Sequence, residues 1–274
     1  MTLERRTLLR AAAGGAVAGG LGLAGAAQAA PRRTVFVAGD STAATYAVAD
    51  VPRAGWGQAL PVFLRPQTPV VNEALSGASS KSFADLGRLD RILAAIRPGD
   101  VLLVSFGHND EKIEDPARGT DPWTTFQDYL RRYLDGARAA GARPVLVTPV
   151  ERRRFTAAGE PYLSHGEYPD AMRALATATR TPLIDLTALS FAVWGRLGAE
   201  ATKEYFLWLD AGESPNYPAG VSDNTHFQAH GAIEVARLVA AAAWMIPGRD
   251  HRALHDPDIP GDSLAWPATR PAES

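Results

Sequence analysis

The chain has 274 residues, of which 46% are hydrophobic and 21% are charged, so it can bury a full core and is not of the disordered class. Its 28 basic and 30 acidic residues give a formal net charge of −2, which excludes the basic surface that a nucleic-acid binder needs to replace phosphate counterions. The sequence contains no cysteine, which excludes disulfides, cysteine-ligated zinc, iron–sulfur clusters and a thiol nucleophile.

The N-terminal segment has the pattern of an export signal. Arg5 and Arg6 form a twin-arginine pair, and an uncharged stretch rich in Ala and Gly follows over residues 11–30. That stretch is less apolar than a membrane-inserting helix requires, which favours export over a stable membrane anchor. Ala27-Gln28-Ala29 offers the small-residue pattern at which such signals are cleaved. We therefore expect residues 1–30 to be a twin-arginine-type signal peptide and the protein to be secreted or otherwise extracytoplasmic.

Short apolar runs alternate with helically spaced segments along the rest of the chain. Strands are predicted where the runs are short, β-rich and bounded by turn residues, over 34–38, 69–74, 100–106, 143–148 and 182–186. Helices are predicted over 57–64, 83–96, 124–140, 170–179 and 231–245. Because parallel strands need crossover connections, this alternation indicates a parallel sheet covered on both faces. The prediction is a three-layer α/β/α, flavodoxin-like domain over 31–246 with about five parallel strands, followed by an irregular tail over 247–274.

The ends of the predicted strands carry the unusual residues of the sequence. In a parallel sheet the loops at the carboxyl ends of the strands form the ligand crevice, so functional residues are sought there. The first strand ends in Gly39-Asp40-Ser41-Thr42, and a serine at a sharp strand-to-helix turn can expose its hydroxyl as a nucleophile. Taken alone, this tetrapeptide favours a helix N-cap, because Asp, Ser and Thr are all good capping residues.

Two further loops offer hydrogen-bond donors to an anion. Small residues after the second strand let a backbone N–H approach a ligand closely, and Gly77 is the candidate donor there. After the third strand, Gly107 frees the backbone to aim the side-chain amide of Asn109 at an oxyanion. Each loop alone also has an ordinary interpretation, since such residues commonly close turns for local reasons.

A late pair of residues can supply an acid and a base. Asp223 precedes His226 by three residues, a spacing at which the carboxylate can reach Nδ1 of the ring while Nε2 faces a nucleophile. A structural histidine near a helix start is the alternative, and His230 is the second candidate base. A serine, two anion donors and an acid–base pair together form a complete set for acyl transfer.

In this combination and order, the motifs resemble those of the SGNH (GDSL) hydrolases, most closely their rhamnogalacturonan acetylesterase-like branch. The resemblance covers about residues 35–246 and rests on Gly-Asp-Ser-Thr, Asn-Glu-Ala-x-Ser-Gly, Gly-His-Asn-Asp and Asp-Asn-Thr-His-Phe. It implies a serine esterase that needs neither cofactor nor metal. In such an enzyme Ser41 is the nucleophile, His226 the base and Asp223 its orienting acid, while Ser41, Gly77 and Asn109 form the oxyanion hole.

The substrate is predicted from the export signal, the resemblance and a run of arginines. Arg152, Arg153 and Arg154 follow the fourth strand, where a guanidinium can pair with a uronate carboxylate, although such a run is also typical of a solvated face. We expect the removal of acetyl groups from a cell-wall polysaccharide, first of all rhamnogalacturonan, by a monomeric enzyme without a nucleic-acid partner. The alternatives are a general lipase, thioesterase or arylesterase acting on small or lipid esters, and a non-catalytic carbohydrate-binding protein.

Overall fold

The computed structural model describes residues 33–243 and 245–271. The signal peptide expected over residues 1–30 lies outside the described residues. In the part of the chain that is described, no helix combines the length and the apolar character needed to cross a bilayer.

Five parallel strands form the central sheet. The described chain contains, in order, β1 (Val35–Gly39), β2 (Arg53–Ala54), β3 (Val70–Asn72), β4 (Val101–Ser105), β5 (Arg143–Val147), β6 (Leu183–Ile184), β7 (Phe206–Leu209) and β8 (Val221–Gln228). The central sheet has the order β3-β1-β4-β5-β6, and every neighbouring pair in it is parallel. The chain adds strands first on one side of β1 and then on the other, which places a topological switch point, and hence the expected crevice, beside β1.

Helices cover both faces of this sheet. They are α1 (Trp56–Ala59), α2 (Ser80–Asp85), α3 (Arg88–Ala95), α4 (Thr125–Ala139), α5 (Tyr168–Thr179), α6 (Leu186–Ala201), α7 (Ala229–Ala242) and α8 (His251–Leu254). Side chains of β1 alternate between the faces: Val35 and Val37 join the buried cluster of α1, α6 and α7, whereas Phe36 and Ala38 join that of α2 to α5. The predicted three-layer α/β/α fold with five parallel strands is confirmed.

Three predicted elements differ from those observed, and the first is the helix predicted over 57–64, which is α1 followed by a 3-10 helix over Leu60–Phe63. The segment predicted as one helix over 83–96 forms α2 and α3, because Gly87 between them adopts φ +73°, a left-handed conformation that interrupts the helix. The strand predicted over 182–186 is shortened to β6, since the Asp185 side chain accepts a hydrogen bond from the Ala188 backbone N–H and so begins α6. Helix α6 is not among the predicted helices.

A small antiparallel sheet, which the sequence analysis also did not predict, accompanies the central one. Its strand order is β2-β8-β7. Between the paired positions Phe206–Phe227 and Trp208–Ser222, β7 has one residue and β8 has four, so residues 223–226 form a large bulge. Strand β2 is only two residues long and β8 is largely polar, so neither shows the alternating apolar pattern by which strands are predicted.

The proline-rich tail folds back on earlier parts of the chain. Leu264 is 6% exposed and belongs to the apolar cluster that α1 and α7 share. The indole N–H of Trp266 donates to the backbone carbonyl of Arg53 at 3.4 Å. Apart from α8 and a 3-10 turn over Gly261–Ser263, the described part of the tail has no regular structure. Apolar packing and isolated backbone hydrogen bonds, such as that from the Val48 N–H to the Pro267 carbonyl at 3.0 Å, hold the tail against the domain.

Candidate active site

The turn after β1 holds Ser41. Asp40 accepts hydrogen bonds from the backbone N–H and the hydroxyl of Thr42, at 2.9 and 2.8 Å, and the Tyr46 hydroxyl donates to the Ser41 carbonyl at 2.8 Å. Because Asp40 and Thr42 are engaged within the turn, no helix begins here, and the next helical turn starts only at Val48. The predicted strand-to-helix turn is therefore wrong, because no helix follows directly after β1. Ser41 nevertheless lies directly beyond the carboxyl end of β1, as expected.

The bulge of β8 brings an acid–base pair to this serine. Nε2 of His226 lies 2.9 Å from Oγ of Ser41, and Nδ1 lies 2.6 Å from Oδ2 of Asp223. The other carboxylate oxygen of Asp223 accepts from the backbone N–H groups of Thr225 and His226, at 2.7 and 3.1 Å. These two bonds close a local turn in the bulge, and the three side chains form one hydrogen-bonded series.

The Asp223 carboxyl is poised to remain ionised. Burial acts to raise its pKa, but the hydrogen bond and charge of His226, together with the two backbone N–H bonds, outweigh this and lower the pKa to about 2. A carboxylate at this position favours the imidazole tautomer that carries its proton on Nδ1. Nε2 of His226 is then the acceptor that faces the serine hydroxyl.

His230, the second candidate base, stands apart from this series. It lies in the first turn of α7, and its ring stacks on that of Tyr205 with the two centroids 4.3 Å apart. It is not among the residues that line the pocket at Ser41. The structure therefore brings His226, and not His230, to the serine.

Gly77 and Asn109 face the same pocket as Ser41. Gly77 has φ +81°, which L side chains rarely adopt, so the backbone conformation requires glycine although a Cβ would meet no other atom. The Asn109 side chain donates one N–H of Nδ2 to the Ala78 carbonyl at 2.9 Å. Its second N–H and the backbone N–H groups of Ser41 and Gly77 donate to no other described residue. Three donors are thus available to a bound anion.

The pocket has a volume of about 290 Å³, and apart from glycine its lining residues have polar or charged side chains. The lining residues are Ser41, Arg53, Ser76, Gly77, His108, Asn109, Lys112, Arg152, Thr225 and His226. Among these described residues there is no aliphatic or purely hydrocarbon aromatic side chain and no carboxylate. Arg53, Lys112 and Arg152 make the lining cationic, so the pocket suits a small polar or anionic ligand.

The three consecutive arginines suggested for substrate binding diverge in the structure. Arg152 lines the pocket and pairs with the carboxylate of Glu111. Arg153 instead donates from Nη1 to Oδ1 of Asn224 at 3.1 Å, and Arg154 is exposed outside the pocket lining. Only the first of the three stands where a ligand in the pocket can reach it.

Several pocket residues were absent from the sequence prediction. His108 is 3% exposed, with Nδ1 3.4 Å from Oδ2 of Asp40. Burial lowers the pKa of His108 to about 4, although Asp40 opposes this, so the ring is neutral. The Gly-His-Asn-Asp motif contains this histidine and could have identified it. Arg53 and Lys112 belong to no motif, and the fold alone brings them to the pocket.

A serine, a histidine and an aspartate in hydrogen-bonded series, with N–H donors facing the same pocket, form the arrangement of a serine hydrolase. Within residues 33–243 and 245–271, no group of three or more His, Cys, Asp or Glu side chains could hold a metal ion. The chain belongs to the GDSL-like Lipase/Acylhydrolase family, whose model matches residues 37–232. It is a carboxylic ester hydrolase of this type, and the predicted family is confirmed.

Curated relatives and a solved structure agree with this assignment. The chain is 46% identical to the rhamnogalacturonan acetylesterase RhgT of Bacillus subtilis, over 79% of this chain and 93% of that protein. It is 40% identical to the probable rhamnogalacturonan acetylesterase YesY of the same organism, over 75% and 90% of the two chains. The crystal structure of protein YxiM from Bacillus subtilis superposes with a TM-score of 0.66 at 31% identity, covering 78% of this chain and 56% of that one.

Proposed function

We propose that the protein removes acetyl groups from a cell-wall polysaccharide, with acetylated rhamnogalacturonan as the first candidate, through an acyl-enzyme intermediate. The polar, cationic pocket of about 290 Å³ at Ser41 is the observation that carries this proposal. Two curated relatives with at least 40% identity bear the name rhamnogalacturonan acetylesterase, one of them as a probable one, which supports the same substrate.

The first half of the reaction forms the acyl-enzyme. His226 accepts the proton of Ser41 across the 2.9 Å contact as Oγ attacks the acetyl carbonyl. The tetrahedral oxyanion receives hydrogen bonds from the backbone N–H groups of Ser41 and Gly77 and from the Asn109 amide, and each such donor is typically worth about 3 kcal/mol in the barrier. His226 then protonates the departing sugar oxygen, and Asp223 stabilises the imidazolium in between.

The second half repeats these steps with water. His226 accepts a proton from a water molecule as the water oxygen attacks the acetyl carbonyl. The same N–H donors stabilise the second oxyanion. The collapse of this intermediate returns the proton from His226 to Ser41 and releases acetic acid, which ionises to acetate in solution. The pair of half-reactions balances without any further reactant than water.

The lining of the pocket favours a small acyl group over a lipid chain. A long acyl chain gains its binding energy from apolar surface, about 25 cal/mol for each Å² removed from water. The described pocket lining offers no aliphatic side chain for that purpose. This observation supports an acetylesterase against the general lipase alternative.

The cationic lining favours an acidic polymer. Arg53, Lys112 and Arg152 surround the ester site without a carboxylate among the described lining residues, although Arg152 also pairs with Glu111. A uronate carboxylate next to the acetylated sugar would meet these cations in a partly dehydrated pocket, where charge pairing is stronger than in bulk water. The twin-arginine pattern of residues 1–30 supports export to where such polymers occur.

Acetate release from four substrates tests the proposal. The wild type and Ser41→Ala would be assayed on acetylated rhamnogalacturonan, acetylated xylan, a chromogenic acetate and a long-chain ester. We expect the wild type to act fastest on acetylated rhamnogalacturonan and to be unaffected by EDTA. With the chromogenic acetate it should release a burst of chromophore before steady turnover. Ser41→Ala should be inactive on all four substrates. Equal rates on acetylated xylan and acetylated rhamnogalacturonan would contradict the proposed preference for an acidic polymer. Faster hydrolysis of the long-chain ester would support the lipase alternative.

A further inference from the structure

The Asn109 side chain is held by two groups of opposite hydrogen-bonding character. Nζ of Lys112 donates to Oδ1 of Asn109 at 2.8 Å, while Nδ2 of Asn109 donates to the Ala78 carbonyl at 2.9 Å. Asn109 is 4% exposed, so its amide has little access to solvent. Lys112 is only partly exposed and lines the pocket three residues further along the chain.

These two contacts determine which way the amide faces. An ammonium group has donors only, and a backbone carbonyl is an acceptor only. If the Asn109 amide were flipped, its NH₂ would face the ammonium and its oxygen would face the Ala78 carbonyl, so both hydrogen bonds would become repulsions. The observed orientation leaves one N–H of Nδ2 available at the pocket that Ser41 and Gly77 also line.

We propose that Lys112 is a positioning residue of the oxyanion hole, which holds and polarises the Asn109 amide so that its N–H meets the developing oxyanion. The inference rests on the proposed function. A bond from a charged donor to Oδ1 draws electron density from the amide, which strengthens the remaining N–H as a donor. Without it, the Ala78 carbonyl alone would oppose the flipped amide, which would present an oxygen to the oxyanion, an acceptor in place of a donor.

Lys112 also lies in a turn that is held at its other residues. The buried carboxylate of Asp110 accepts from the Ser80 backbone N–H, and Glu111 pairs with Arg152. The Lys112 backbone N–H itself donates to the Asn109 carbonyl at 3.3 Å. The turn is therefore anchored independently of the Lys112 ammonium. Removing that ammonium should affect the orientation of the Asn109 amide and not the backbone conformation of the turn.

The test uses a small neutral acetate ester, which has no carboxylate that could bind Lys112 directly. We expect Lys112→Met to lower kcat about tenfold, less than the loss of a whole oxyanion donor, and to change KM less than twofold. Lys112→Arg should restore most of kcat, since a guanidinium can donate to the same oxygen. Thermal unfolding of each variant separates loss of the fold from loss of orientation.

Lys81→Met is the matched control. Its ammonium donates to the Pro116 carbonyl at 2.8 Å, in the same loop, but it does not touch Asn109 or line the pocket. We expect this variant to retain the kcat and KM of the wild type. Equal losses in Lys81→Met and Lys112→Met would show that both lysines merely hold the loop, and would overturn the proposal.

A double-mutant cycle with Asn109→Ala gives the sharper test. If Lys112 acts through the amide, Lys112→Met should change kcat less than twofold once Asn109 is alanine. Additive losses, an unchanged kcat in Lys112→Met, or a rise confined to KM would each overturn the inference. A wild-type chain without esterase activity would overturn the proposed function itself, and an active wild type with a fully active Asn109→Ala would overturn the oxyanion-hole assignment.

Discussion

At the scale of single residues, Asp223 accepts three hydrogen bonds with its two carboxylate oxygens. One oxygen accepts the N–H groups of Thr225 and His226 and shapes the chain, while the other accepts from the imidazole. The residue that orients the base therefore also shapes the turn that presents it. Two histidines only four positions apart consequently have different surroundings, since His230 is already in α7 and packs on Tyr205.

His226→Ala should abolish turnover, whereas His230→Ala should keep it within about threefold, because only the first contacts Ser41. The loss in His226→Ala should be on the order of 10⁴-fold or more in kcat, as expected when the base of a serine hydrolase is removed. Thermal unfolding of His226→Ala should be close to that of the wild type, since the His226 side chain is 23% exposed at the pocket. An active His226→Ala beside an inactive His230→Ala would reverse the assignment.

Asp223 should make stability depend on pH in acid. Its folded-state pKa of about 2 lies below the ordinary 3.8, so as pH falls the unfolded chain takes up this proton first. The stabilisation is therefore complete above about pH 4 and is lost as pH falls towards 2. Urea unfolding between pH 2 and 6 should show the wild type losing its advantage over Asp223→Asn across this window. A difference that stays constant with pH would contradict the assigned pKa.

At the scale of elements, the bulge of β8 is supported by contacts among three side chains, those of Asn224, Trp208 and Arg153. Oδ1 of Asn224 accepts from Nε1 of Trp208 at 3.0 Å and from Nη1 of Arg153 at 3.1 Å. The Arg153 guanidinium lies over the Trp208 ring, 4.6 Å from a ring centroid. Arg153 thus supports the strand that carries Asp223 and His226, and it does not line the pocket at Ser41.

Asn224→Ala should lower kcat about tenfold or more with little change in KM, because the bulge would lose its two side-chain bonds, to Trp208 of β7 and to Arg153 of the loop after β5. Trp208→Phe removes only one of these bonds and should have a smaller effect in the same direction. Ser222→Ala, at an exposed position of the same strand, serves as the control and should behave as the wild type. A rise in KM alone would instead indicate that Asn224 contacts substrate.

The elements were predictable to different degrees for a physical reason. The strands of the central sheet are covered on both faces. Each is therefore an apolar run that can be predicted from its own sequence, without knowledge of the strands it pairs with. Strand β8 has Val221 and Phe227 near its ends, its polar residues 223–226 form the bulge, and its remaining positions pair with β7 and β2. A strand of mostly polar residues that is interrupted by a bulge has no alternating apolar pattern from which it could be predicted.

At the scale of the whole molecule, the charge of the pocket opposes that of the chain. The chain has a formal net charge of −2, yet the described lining of the pocket contains three cationic side chains and no carboxylate. One of these, Arg53, lies in β2, and its backbone carbonyl accepts from Trp266 of the tail. The tail therefore contacts the wall of the pocket from behind.

Deletion of residues 257–274 should destabilise the domain by about 3 kcal/mol or more, because the buried Leu264 and the hydrogen bond from Trp266 to Arg53 would be lost. Chemical unfolding would measure the change. Leu264→Ala should reproduce a large part of it, whereas Thr269→Ala, at an exposed position of the same segment, should have little effect. Unchanged stability after the deletion would show that the tail packs without contributing to the fold.

The amino-acid sequence by itself determined the central sheet and the order of the motifs, and it predicted Ser41, Asp223, His226, Gly77 and Asn109 as site residues, which the structure places around one pocket or in contact with it. Apolar runs and short motifs express interactions within a few residues, so they can be read locally. Only the tertiary structure decided that Arg152 reaches the pocket while Arg153 supports a strand, and that Arg53 and Lys112 complete the lining. Ser41 and His226 are 185 residues apart, and Arg153 and Asn224 are 71 apart. Contacts over such separations depend on how the layers pack, which local sequence does not encode.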